Sequence, residues 1–152
     1  MPDQPTAVDL RDYVTFDLAA ATGRRVFVTD VVAVDLVCLE PGQMVGARTM
    51  ATADAIYTVL GGRAWVVTDE AEVTLEPLQS LMVPAGVPHG LRNDSPDPLI
   101  LQAVISPPDE APEAQLGPIP QSPPEAVAGE RQEHRRGLTD RLRWALGGSG
   151  GG

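Results

Sequence analysis

Two histidines, one cysteine and eleven basic residues, all arginine, are the side chains with which this chain could do acid–base, nucleophilic or anion chemistry. Lysine is absent, so Schiff-base formation and ε-amine general bases are excluded. His89 closes the segment Pro84-Ala85-Gly86-Val87-Pro88-His89, whose prolines and glycine predict a turn that delivers the histidine into a strand, facing inward. An imidazole there can act as a general base, since it titrates near neutral pH and needs only one orienting partner. The same residue can equally be a buried polar group satisfied by one hydrogen bond. His134 lies in an arginine-rich stretch and reads as a solvated histidine. Cys38 lies in the apolar run 31–39, without the positive charge that activates a thiol, and reads as a small core residue. A single cysteine forms neither an intrachain disulfide nor a thiolate cluster. Trp65 stands alone in a strand-like run and reads as core or interface, so a sugar-stacking surface has no support.

The elements that must position these residues are short strands. Between residues 25 and 106 the apolar and β-branched runs 26–39, 44–50, 55–60, 63–68, 71–75, 80–84, 89–93 and 98–106 alternate with turn residues. The separators include Pro41-Gly42, Gly61-Gly62, Asp69-Glu70, Pro77 and Ser95-Pro96-Asp97-Pro98. This pattern predicts an all-β, antiparallel sandwich or barrel. Residues 1–24 read as an N-terminal arm with a short helix over 8–13 and a loop over 19–23.

With 152 residues the chain has the size of one domain. Its charge of -10, from 21 acidic and 11 basic residues, opposes phosphate backbones and anionic surfaces, which argues against nucleic acid as a partner. The N-terminus lacks a basic and apolar leader and no run reaches membrane-spanning length, which predicts a soluble, cytoplasmic protein.

Seven of the eighteen residues 107–124 are proline, so 107–130 read as an extended acidic linker. Residues 131–146 carry five arginines, with Leu138, Leu142, Ala145 and Leu146 at helical spacing. They read as a short basic amphipathic helix that folds back on the barrel or a neighbouring subunit, or docks a separate protein partner. Residues 147–152 are a flexible Gly/Ser tail.

The spacing P-x-G-x-x-H-x-x-x-N over residues 84–93 resembles the second signature of the cupin superfamily, and residues 42–62 are similar to the first, G-x5-H-x-H-x3-4-E-x6-G. The resemblance implies an RmlC-like jelly-roll β-barrel. It also implies a homodimer, since such proteins often pair through sheet edges. In metal-binding members the ligands are two histidines and a glutamate from the first signature and the histidine of the second. Carried onto this chain, those positions hold Arg48, Met50 and Ala55, with only His89 retained. A rival register offers Asp54 at the acidic position. Leu78 replaces the second signature's leading glycine.

One imidazole, or an imidazole with one carboxylate, does not hold a divalent transition metal, and an always-protonated arginine opposes one. No cofactor is therefore expected; a residual metal site would use His89 and Asp54, with a sulfur from Met50. An interior carrying Arg48, Met50, Tyr57 and His89 suits an organic carboxylate or phenolate, with Arg48 clamping the anion. The opposite reading has Arg48 facing solvent or pairing with Asp54. Three functions follow: a metal-independent module that binds or senses a small acidic, hydrophobic metabolite; a metal-independent isomerase, epimerase or cyclase with His89 as base and Tyr57 as donor; and a metal-dependent enzyme with an atypical site.

Overall fold

The computed structural model describes residues 4–108, together with the backbone of residues 117–118. The expected linker beyond these residues, the helix over 131–146, His134 and the Gly/Ser tail lie outside the described residues.

The chain is built from β1 (Thr22–Val28), β2 (Ala33–Leu39), β3 (Met44–Arg48), β4 (Asp54–Gly61) and β5 (Ala64–Thr68), followed by β6 (Glu72–Leu75), β7 (Ser80–Val83), β8 (His89–Arg92), β9 (Leu99–Ser106) and a two-residue β10 (Gly117–Pro118). They form two antiparallel sheets with strand orders β10-β1-β2-β9-β4-β7 and β3-β8-β5-β6. No described helix is long and apolar enough to cross a membrane.

Period-two alternation sorts the side chains. In β9, Leu99, Leu101, Ala103 and Ile105 face the core; in β4, Ala55, Tyr57 and Val59 do so. The 26–39 run, continuous in the sequence reading, is two strands: the Thr29 amide bonds to the Val32 carbonyl and closes a hairpin. The first strand begins at Thr22, inside the expected 19–23 loop, because Thr22 and Gly23 pair with Cys38 and Val37.

The short helix of the arm is a 3-10 turn, Leu10–Tyr13, capped by the Asp9 carboxylate on the Arg11 amide. The arm then runs along the outer face of the larger sheet: Thr22 Oγ1 donates to the Thr15 carbonyl, and the Arg24 guanidinium stacks on Tyr13 at 5.3 Å. Leu78 adopts φ 70°, a left-handed conformation that glycine takes without cost, which accounts for the glycine expected there by resemblance.

The two ends of the barrel differ. At one end Leu39, Val59, Leu99 and Leu101 close the interior at zero exposure. At the other, the inward residues of the larger sheet include Ala33, Ala55 and Ala103, whose side chains stop at Cβ. His89 and Tyr57 sit at this roomier end.

Candidate functional site

Asn93, the last residue of the 84–93 spacing, anchors the strand that carries His89. It is fully buried, donates from Nδ2 to the Leu39 and Asp97 carbonyls, and accepts at Oδ1 from the Ser95 amide and hydroxyl. One side chain thus satisfies four polar groups at the closed end. Its role is architectural.

His89 is 2% exposed. Its Nδ1 lies 3.0 Å from the Val87 carbonyl oxygen and its Nε2 2.7 Å from the Tyr57 hydroxyl. A carbonyl only accepts, so Nδ1 carries the proton, Nε2 is the acceptor, and the Tyr57 hydroxyl donates to it. The rings are tilted by 59° with centroids 5.4 Å apart. Burial pushes the imidazole down to about 4, against the partial support of the Val87 carbonyl, and the Arg48 charge lowers it further. Burial likewise raises the Tyr57 hydroxyl, while Arg48 draws it back down. The near-neutral titration expected from the residue type is therefore overridden by burial, and His89 is neutral at pH 7.

Arg48 joins this pair through an irregularity in the sheet. Val45 pairs with Leu91, but the next pair is Arg48 with His89, so β3 has two residues between the pairs where β8 has only Gly90. A regular ladder would set Ala47 opposite His89. The extra residue brings Arg48 directly across from His89, and the two side chains leave the sheet on the same inner face. Arg48 is half-buried. Among the described residues no carboxylate pairs with it, and its charge is felt by both Tyr57 and His89.

Met50 is 5% exposed and belongs to the same core cluster as Tyr57. Ala55 faces inward at 1% exposure. Asp54 does not join them: it is exposed, one position out of phase with Ala55 and Tyr57 on β4, and its Oδ1 accepts from the Ala85 amide at 2.9 Å. It buttresses the turn before His89, and neither pairs with Arg48 nor shares the face of His89. The alternation of the strand decides between the two registers left open by the spacing.

The residues present do not fit a divalent metal. The one imidazole has its free lone pair engaged by Tyr57, Arg48 supplies fixed positive charge, Met50 is packed in the core and Ala55 has no donor. Among the described residues no three histidines, cysteines, aspartates or glutamates cluster.

Two features escaped the sequence reading. Asp35, 5% exposed, lies in the same inward row as Ala103 and Tyr57 and holds Arg25 through Oδ1 at 2.9 Å and Oδ2 at 3.3 Å. Its signal was a carboxylate at an inward phase, between Ala33 and Val37. The second is a cavity of about 450 Å3 lined by Thr68, Leu81, Val83 and Val87 among others. These are strand or chain neighbours of His89, Tyr57 and Ala55. Strand order places this cavity and Arg48 on opposite sides of β8.

Because the folded imidazole titrates below its unfolded value, the unfolded chain takes up the proton first as the pH falls. The stabilisation from keeping His89 neutral is complete above about pH 6.5 and is lost as pH falls towards about 4. The loss amounts to about 3 kcal/mol. Urea denaturation of wild type and His89→Gln across this window is expected to show a steeper acid decline for wild type. Parallel profiles would count against a buried neutral imidazole.

Two facing antiparallel sheets with a polar cluster towards one end define a small jelly-roll barrel. The family model described as "Cupin domain" matches residues 35–105. The TT1209 protein of Thermus thermophilus is 32% identical, with 66% of this chain and 96% of that one covered and a TM-score of 0.64. An RmlC-like cupin of Desulfovibrio desulfuricans (20% identity, 68% and 98% covered, TM-score 0.62) and KdgF of Halomonas (18%, 70% and 97%, 0.62) share the fold. No curated protein matches in sequence. The chain belongs to the cupin superfamily.

Proposed function

We propose that this cupin binds a small organic anion with a hydrophobic body at the open end of the barrel, without a metal. Arg48 is the anion's counter-charge, and the Tyr57–His89 pair is the hydrogen-bonding wall beside it. The observation that carries this reading is Arg48 itself, set across from His89 on the inner face with no carboxylate partner among the described residues. A half-buried guanidinium in apolar surroundings gains most from a ligand carboxylate it can grip bidentately. Met50 and the inward alanines supply an apolar surround of adjustable depth. The ligand role extends to binding or sensing, in keeping with a neutral His89 whose hydrogen bonds do not change between pH 6 and 8.

The test is thermal-shift and calorimetric titration of wild type and Arg48→Met with aromatic and branched aliphatic monocarboxylates such as benzoate. Wild type is expected to bind at least one of them roughly tenfold or more tightly than Arg48→Met does. Equal binding by the two proteins would refute the assignment of Arg48.

A metal-independent enzyme is the second reading, favoured by one observation: the 2.7 Å bond from the Tyr57 hydroxyl to an imidazole whose other nitrogen is held by Val87. In that arrangement Tyr57 is the group that exchanges a proton with substrate, and His89 accepts behind it. Turnover of a bound carboxylate by wild type but not by His89→Gln would select this reading over binding alone.

A further inference from the structure

We infer that residues 131–146 of the same chain dock on the outer face of the smaller sheet, over β8, β5 and β6. An antiparallel sheet with one wet face shows alternating burial along its strands, as β9 does, where every second residue from Leu99 to Ile105 is buried. The centres of β8 and β5 break that rule. Leu91 and Val66 face the core, so their neighbours Gly90 and Val67 point outward. Yet Gly90 is buried and Val67 is 0% exposed. Val67 pairs with Gly90 on one side and with Glu72 on the other. The adjoining outward row is Met44, Arg92, Trp65 and Thr74, with Met44 and Trp65 half-buried. The described arm is engaged elsewhere: Thr22 and Arg24 of β1 donate to Thr15, and Gln43 in the β2–β3 turn donates to the Asp17 carbonyl.

Charge and reach select the occupant. Glu72 on the face, with Asp69 and Glu70 in the β5–β6 turn, makes its β6 side acidic. The segment 107–130 carries five acidic residues and no arginine, and a second copy carries a net charge of -10, so both are opposed there. Residues 131–146 carry five arginines against Glu133 and Asp140, with Leu138, Leu142, Ala145 and Leu146 at helical spacing. An apolar stripe flanked by arginines matches an apolar centre with an acidic border. The chain also arrives close enough. Pro118 lies beside Thr22 on β1, and the twelve residues 119–130 reach about 40 Å when extended. The path to the β6 side is about 25 Å, from the spacing between sheets and the width of four strands.

The test uses the full chain carrying Trp144→Phe, in which Trp65 is the sole tryptophan. Adding Leu138→Glu and Leu142→Glu places charge on the apolar stripe without altering the barrel. It is expected to raise acrylamide quenching of Trp65 severalfold, with the cooperative urea transition of the barrel retained. Trypsin reads the same event, because the arginines of 131–143 are its only sites beyond Arg92. Cleavage there is expected to run roughly tenfold faster in that variant, in step with the undocked population. Glu70→Arg with Glu72→Arg, on the barrel side, is expected to move both readings in the same direction. Ile56→Glu, on the outer face of the larger sheet and at a position 40% exposed, is expected to leave both unchanged. Quenching of Trp65 that is indifferent to the substitutions at Leu138 and Leu142 would overturn the proposal. Protection that falls on dilution would overturn it equally, by putting a neighbouring chain's segment on the face. None of these results bears on the ligand site.

Discussion

A chain carrying Arg48→His, Met50→His, Ala55→Glu and Tyr57→Phe is expected to bind one divalent transition metal ion per barrel. The first three changes place donors where the fold already has side chains facing inward: Arg48 across from His89, Met50 in the core cluster, and Ala55 in phase with Tyr57. The fourth frees the lone pair of His89 Nε2, which accepts from the Tyr57 hydroxyl at 2.7 Å and is the nitrogen a cation would use, Nδ1 being held by the Val87 carbonyl. Two added imidazoles and a carboxylate complete a four-ligand set and remove the guanidinium's repulsion, which is worth roughly a thousandfold or more in affinity. Nickel or zinc titration after chelator treatment measures it. The version that keeps Tyr57 is expected to bind more weakly than the fourfold variant. If the fourfold variant binds no better than Tyr57→Phe alone, the four positions do not converge.

Gly62→Ala is expected to be the most damaging small substitution in the barrel. A Cβ at Gly62 would lie 2.3 Å from the Pro98 carbonyl oxygen and 2.9 Å from the Leu99 Cα, on a residue with φ +86°. The obstructing atoms are backbone where β9 begins, so relief requires the β4–β5 hairpin and the β9 strand to separate. A cost of about 4 kcal/mol or more follows, enough to unfold a domain of ordinary stability. Gly42→Ala isolates the conformational part, because Gly42 has φ +84° but nothing within 4 Å of the added carbon; its cost is about 1 kcal/mol. Denaturant midpoints of the two variants measure the difference. Similar midpoints would show that the β9 backbone yields to the methyl group.

Much of the scaffold was legible because strands and turns are local events. The short β-rich runs and the Gly/Pro turns predicted an antiparallel sandwich or barrel, and the spacing around His89 set that residue inward. The break in the 26–39 run was less legible, because Thr29 and Asp30 are weak turn signals beside so many β-branched residues. Asp35 was missed for a related reason: a lone carboxylate in an apolar run looks like an outward residue until its phase is compared with Val37 and Leu39. Asn93 could be placed in a motif, but its task, bonding to Leu39, joins segments distant in the chain.

By itself, then, the sequence determined the strand content and the turns, since residue type and period-two alternation are local properties, while the placing of Arg48, Met50 and Ala55 at metal-ligand positions is what the family resemblance implies. Only the tertiary structure decided where Arg48 points, which of Asp54 and Ala55 faces inward, and that His89 is neutral with its free lone pair turned to Tyr57. The physical reason is that these depend on cross-strand register and burial. One extra residue in β3 moves Arg48 to the inner face, and a 2% exposed imidazole loses the water that would have let it titrate near neutrality.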